Sequence, residues 1–168
     1  VKAIFGCEFY VANDLYVKNG KSKYAHLVLL AKDEIGYNNI CRLNSIAFKE
    51  GFYYKPRIDR ELLFSLNPND FIITTACVAG IWNDPELILA LHRKFGKNFF
   101  LEVQFNQFAK QIEVNQELLR LSKEAHIPII HANDSHYIYP QDSEYRDVLL
   151  KAKEIYYEDE GSSIMDYP

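Results

Sequence analysis

The sequence predicts an α/β domain built on a mostly parallel sheet, open or closed into a barrel. Three observations lead there. Short apolar runs rich in aromatic and β-branched residues alternate with longer segments of helical periodicity. Their order is strand, strand, helix, strand, helix, strand, helix, strand, helix, and repeated βα units imply parallel strands. Nearly half of the 168 residues are apolar, enough for a substantial core in one domain.

Each element has its own justification. Ala3 to Val11 reads as the first strand, interrupted by a lone carboxylate, Glu8. Burying that charge is costly unless it is paired or binds a metal, although a solvent-facing glutamate fits the pattern equally well. A polar excursion from Asn13 to Lys23 carries the turn signal Asn19-Gly20. Ala25 to Ala31 is the second strand, with His26 at its start. Asp33 suits the N-cap of a helix reaching about Glu50, with Gly51 as its stop. Tyr37, Ile40, Cys41, Asn44, Ala47 and Phe48 form its expected inward stripe.

The loop from Gly51 to Arg60 is aromatic and basic. Tyr54, Lys55 and Arg57 there suit contacts with phosphates or bases, although a solvated loop with its tyrosines packed down is the commoner outcome for such a segment. A short helix from Asp59 to about Leu66 follows, then a strand from Phe71 to Thr75 that ends at Cys77 and a glycine turn. Asp84-Pro85-Glu86 is a strong helix start, with Gly96 marking the end. Asn98 to Gln104 is a strand, and Ala109 to His126 is an amphipathic helix with Val114, Leu118, Leu121 and Ala125 on one face. Ile127-Pro128 leads into a last strand carrying Asp134 and His136, and Gln141 to Lys153 is the final helix. The tail from Tyr156 to Pro168 is acidic and expected to be loose.

Composition narrows the function classes. The 19 basic and 23 acidic residues leave a net charge of −4, which argues against gripping phosphate backbones by bulk charge. The cysteines Cys7, Cys41 and Cys77 are odd in number and widely spaced, as for reduced thiols in a cytoplasmic protein. No apolar run reaches membrane-spanning length and no secretory signal pattern opens the chain, so no membrane partner is expected. The chain starts at Val1 rather than methionine, which suggests a fragment.

The chemistry-bearing residues share one theme. In a strand, residues i and i+2 face the same way, so Asp134 and His136 are expected to project together as a carboxylate oxygen and an imidazole nitrogen. That pair suits a divalent metal of the zinc, manganese or iron type. Each of Glu8, His26, Cys77, Asp134 and His136 alone also suits an ordinary structural role. All five, however, lie within or beside strands, and functional groups of parallel α/β folds gather at strand C-terminal ends. Taken together they predict a metal site.

The same residues carry a family resemblance. Gly6-Cys7-Glu8-Phe9-Tyr10-Val11, His26 to Lys32, Glu50-Gly51-Phe52-Tyr53-Tyr54-Lys55-Pro56-Arg57-Ile58-Asp59, Thr75-Ala76-Cys77-Val78-Ala79-Gly80 and Asn133-Asp134-Ser135-His136-Tyr137 occur in this order. Together they resemble the polymerase-and-histidinol-phosphatase (PHP) domain of bacterial DNA polymerase III alpha subunits. The resemblance implies a distorted (β/α)7 barrel with a cluster of divalent metals, zinc or manganese, at its mouth. On it, Glu8, His26, Cys77, Asp134 and His136 fall on metal-ligand positions, with Cys77 standing where other PHP enzymes place a histidine.

Residues 1–155 are thus expected to form a partial PHP domain, an incomplete barrel lacking its first strands, and 156–168 to form an acidic tail. The family's opening His-x-His and Asp-His motifs belong before Val1. The polymerase palm, whose catalytic aspartates use magnesium, belongs after Pro168. Arg146 stands where the family often has a histidine. The resemblance implies a parent that is a DNA-directed DNA polymerase, a nucleotidyltransferase. Its partners would be DNA, a proofreading exonuclease, the sliding clamp and the clamp loader. The domain itself either hydrolyses phosphoesters, in the manner of a 3′-5′ exonuclease, or serves as a scaffold. A free-standing phosphatase is the alternative, against which the loop Gly51 to Asp59 speaks. The strand Ala3 to Val11, left as an exposed edge, is expected to promote self-association.

Overall fold

The computed structural model describes residues 2–19, 23–106 and 109–152. Gly20 of the expected turn, Lys153 and the acidic tail lie outside them. Among the described residues the strands are β1 (Gly6–Ala12), β2 (Tyr24–Ala31), β3 (Arg57–Asp59), β4 (Phe71–Thr74), β5 (Phe99–Val103) and β6 (Ile129–His131). The helices are α1 (Glu34–Lys49), α2 (Arg60–Ser65), α3 (Pro85–Phe95), α4 (Ala109–Ala125) and α5 (Ser143–Ala152). None of the helices is long and apolar enough to cross a membrane, among the described residues.

The strands form one mixed sheet in the order β3-β1-β2-β4-β5-β6. The pairs β1/β3, β4/β5 and β5/β6 are parallel, while β2 runs antiparallel to both its neighbours, β1 and β4. The first strand is therefore not the exposed edge that the sequence suggested. It lies between β3 and β2, and the outer positions fall to β3 and β6. These end strands span three residues each, and short edges offer little to a pairing partner.

Alternation along the strands separates two faces. Phe9, Val11, Leu27, Leu29, Phe71, Ile73, Phe99 and Leu101 bury one face in a core shared with Ile40 and Leu43 of α1, Ile88 and Leu91 of α3, and Val114 and Leu118 of α4. The alternate positions, among them Glu8, Tyr10, His26, Val28, Thr74 and Glu102, belong to the opposite face.

Helix caps follow the expected chemistry. Gly36 N–H donates to the Asp33 carboxylate at 2.8 Å, Leu62 N–H to Asp59 at 2.9 Å, and Leu87 N–H to Asp84 at 3.0 Å. The buried stripe of α1 is rotated from the expected one. It comprises Gly36, Ile40, Leu43 and Ala47, while Tyr37, Cys41 and Phe48 are exposed. Close approach at Gly36 sets this rotation, since a Cβ there would stand 2.4 Å from the Asp70 carbonyl oxygen. The helix docks on its smallest residue and turns its bulky aromatics outward.

Arg57 anchors the β3 end of the sheet. It is completely buried and donates from Nε to the Gly51 carbonyl at 3.0 Å, from Nη1 to Val17 at 3.2 Å and from Nη2 to Leu15 at 3.2 Å. The ring of Tyr53 lies 5.3 Å from the guanidinium carbon. One side chain thus ties the excursion after β1 to the loop before β3. Arg57→Met keeps most of the stem but leaves these carbonyls without a donor. It is expected to lower unfolding free energy by at least about 3 kcal/mol, read as a drop in urea midpoint at unchanged slope.

Candidate functional site

The site assembles where β2 runs against its neighbours. Because β1, β4, β5 and β6 are co-directional, their C-terminal ends share one side of the sheet. β2 reaches that side with its N-terminal end, so His26 arrives among strand ends although it opens its own strand. The segment after β4 secures it there. Ala76 takes a left-handed φ of 59°, Gly80 N–H donates to the Cys77 carbonyl at 2.7 Å, and His26 N–H donates to Ala79 at 2.9 Å. Gly80 is required for this closure, since a Cβ would stand 2.0 Å from the Thr75 carbonyl oxygen.

Three of the expected ligands meet at one ring nitrogen. His26 Nδ1 lies 2.8 Å from Glu8 Oε1 and 3.4 Å from Cys77 Sγ. With the proton on Nδ1, the ring donates to the Glu8 carboxylate and the sulfur stands beside that bond. The bond to His26 holds the Glu8 carboxyl below its ordinary range, against the effect of its partial burial, and the charges of His26 and His136 act in the same direction. Burial pushes the Cys77 thiol up to about 12, and the nearby charges of Asp134 and Glu8 add to this. Without a cation beside it, Cys77 is a neutral thiol at physiological pH.

Asp134 reaches the cleft by another route than the sequence suggested, and His136 stays exposed outside its lining. β6 ends at His131, so neither residue is in a strand and their i, i+2 spacing does not set their direction. Asp134 instead adopts a left-handed φ of 52°, and His136 Nδ1 lies 2.7 Å from the Asp134 carbonyl oxygen. An irregular segment with left-handed backbone at Asp134, not a strand register, directs these two side chains. Left-handed backbone is costly for a residue with a side chain, and here it occurs both at Asp134 and directly before Cys77.

A cleft of about 270 Å³ gathers three of the five expected ligands, with His26 and His136 outside its lining. Glu8, Cys77 and Asp134 line it, together with Glu102 and Gln104, which the sequence reading did not single out. Both are buried. Glu102 accepts from the Thr74 hydroxyl and, at 2.9 Å, from the Gln104 side-chain amide. Its own N–H donates to the Thr75 hydroxyl at 2.9 Å. The Gln104 side-chain oxygen is buried with no protein partner. A lone carboxylate inside the apolar run Phe99-Phe100-Leu101-Glu102-Val103 was the available signal, the same signal that marked Glu8.

The donor set of carboxylate, imidazole and thiol is that of zinc or manganese chemistry, and the partnerless Gln104 oxygen is a further hard acceptor in the cleft. Among the described residues no three His, Cys, Asp or Glu side chains are grouped to hold an ion together. The three loop residues expected to contact nucleic acid separate. Arg57 is buried and occupied with carbonyls, which removes it from the surface. Tyr54 is 81% exposed and Lys55 is exposed near the site, its Nζ 5.7 Å over the Tyr10 ring.

Comparison with known proteins gives the family. The chain is 38% identical over 89% of its length to the DNA polymerase III subunit alpha of Borreliella burgdorferi, of which it spans 14%. It is 36% identical over 91% of its length to that subunit of Chlamydia trachomatis, spanning 15% of it. With the Thermus aquaticus subunit it shares 36% identity over 89% of the chain, or 13% of the relative. The chain thus spans about one seventh of the length of these relatives. The family model of the PHP domain matches residues 1–120, and the chain belongs to the PHP domain family.

Proposed function

We propose that this chain is the PHP portion of a replicative DNA polymerase subunit and that its cleft hydrolyses phosphoesters at the 3′ end of a DNA strand. The observation that carries this reading is the convergence of Glu8, Cys77 and Asp134 on one cleft, with His26 bonded between the first two. Glu8, His26, Cys77, Asp134 and His136 would hold zinc or manganese. A divalent ion there supplies charge stabilisation for a phosphoryl group. The protein's own contribution is orientation. Glu8 fixes the His26 ring through Nδ1, leaving Nε2 as the ring atom open to a further ligand. Gly80 and the left-handed Ala76 hold Cys77 beside it. Thr74 and Gln104 hold the Glu102 carboxylate at the cleft wall.

A second reading rests on a different observation. His26 Nδ1 is already engaged by Glu8 and Cys77, and His136 Nδ1 sits against its own turn. A site so satisfied internally also suits a domain kept as a scaffold, bracing the polymerase and docking a separate proofreading exonuclease. The surrounding subunit would carry DNA-directed DNA synthesis, with magnesium at its own catalytic aspartates and a clamp and clamp loader as partners.

Two outcomes separate the readings. In the full polymerase subunit, manganese- or zinc-dependent release of a labelled 3′ nucleotide is expected to fall more than about a hundredfold in Asp134→Asn and in His136→Ala, at unchanged polymerase activity. Release that ignores both substitutions would leave only the scaffold. The isolated chain is expected to retain well under one equivalent of metal after dialysis, measured by elemental analysis.

Glu102 gives an independent check on the cleft wall. Glu102→Ala leaves the Thr74 hydroxyl and the Gln104 amide without their acceptor and is expected to destabilise by about 2–4 kcal/mol in chemical denaturation. Glu102→Gln, which keeps an acceptor oxygen, is expected to lose less than half as much.

A further inference from the structure

An aromatic row runs into the cleft from the N-terminal end of β2. Tyr10 lies two residues from Glu8 on the same face of β1 and pairs in register with His26. Its ring stands edge-on to both Tyr24 and His26, with centroids 5.0 Å apart in each case. Lys55 hangs over Tyr10, and Tyr24 is 39% exposed. Beyond Tyr24 the row opens into a second cleft, of about 290 Å³, lined by Lys23, Asn13, Arg60 and Trp82. Arg60 pairs with Asp84 through Nη2, while its Nε is buried without a partner.

We propose that Tyr24 and Tyr10, with His26 at the end of the row, form a stacking track for the terminal bases of a single DNA strand. Lys23 and Lys55 meet its phosphates along the way. The inference rests on the reading of a DNA 3′ end as substrate and adds how that end is led to Glu8 and Cys77. Charge alone is a poor source of affinity for a chain of net charge −4 with three carboxylates in the cleft. Every base has a π-face, so an aromatic row binds strands of any sequence, as a replicative polymerase subunit needs. Tyrosines serve this better than lysines because they lose little conformational freedom on contact.

The test uses the 168-residue chain in the presence of a chelator, so that binding is read separately from hydrolysis. Fluorescence anisotropy would compare a short labelled oligothymidylate with an abasic strand of equal length and charge. The oligothymidylate is expected to bind at least about tenfold more tightly, since one base–aromatic stack is worth roughly fivefold to a hundredfold. Tyr24→Ala should lose most of that preference and Tyr24→Phe should keep it. Equal binding of the two strands, or no binding of either, would overturn the track, and needs no variant to fold. A preference for bases untouched by Tyr24→Ala in a protein of normal circular dichroism would overturn it as well. Should the base preference hold while 3′ hydrolysis is absent from the full subunit, the track stands and the hydrolytic reading fails.

Discussion

The antiparallel insertion of β2 between β1 and β4 is the constraint on which the site depends. A parallel crossover at that position would place His26 at the opposite end of the sheet from Cys77 and Asp134. Running backward, β2 sets His26 opposite Tyr10 and within 2.8 Å of Glu8. The bond from His26 N–H to the Ala79 carbonyl then ties its start to the turn carrying Cys77. One reversal of strand direction thus converts three residues, remote in sequence, into neighbours. The Glu8–His26 contact is partly exposed, so its stabilising effect is screened, and its main consequence is to orient the ring.

Two solutions to chain reversal support this arrangement. At Gly51 and Gly80 the backbone comes so near another carbonyl that no Cβ fits. At Ala76 and Asp134 a residue with a side chain accepts a left-handed conformation instead. The second solution is energetically poorer, and it occurs at Tyr54 and His126 as well as beside candidate ligands. Arg57 works in the other direction, filling a gap between loops with donors where a hydrophobic side chain would leave carbonyls unpaired. Its fate shows why a basic residue in an aromatic loop is an ambiguous sign. The cation that appears suited to phosphate is consumed by the backbone that built the loop, whereas its neighbour Lys55 is left at the surface above Tyr10.

The polar groups of the cleft form two tiers. Glu8 and Asp134, exposed and half-buried respectively, are the outer tier. Glu102, Gln104 and Thr74 lie deeper, bonded mainly to one another. The deeper tier places a carboxylate where an unpaired one would be costly, and leaves one amide oxygen facing the cleft. The Cys77 thiol, buried and raised to about 12, is neutral without a cation beside it.

The sequence by itself determined the α/β class and the caps at Asp33 and Asp84, and it marked five residues as candidate ligands. Those signals are local: a capping carboxylate acts on N–H groups within three residues, and a lone charge in an apolar run is conspicuous wherever the run ends up. Only the tertiary structure decided the direction of β2, the interior place of β1, the rotated face of α1, and the turn that replaces the expected strand at Asp134 and His136. Each depends on contacts distant in the chain. Gly36 turns α1 because Asp70 lies against it, and Glu102 becomes part of the cleft because Thr74 pairs with it across the sheet. Periodicity records which residues avoid water, but it does not record which neighbour shields them.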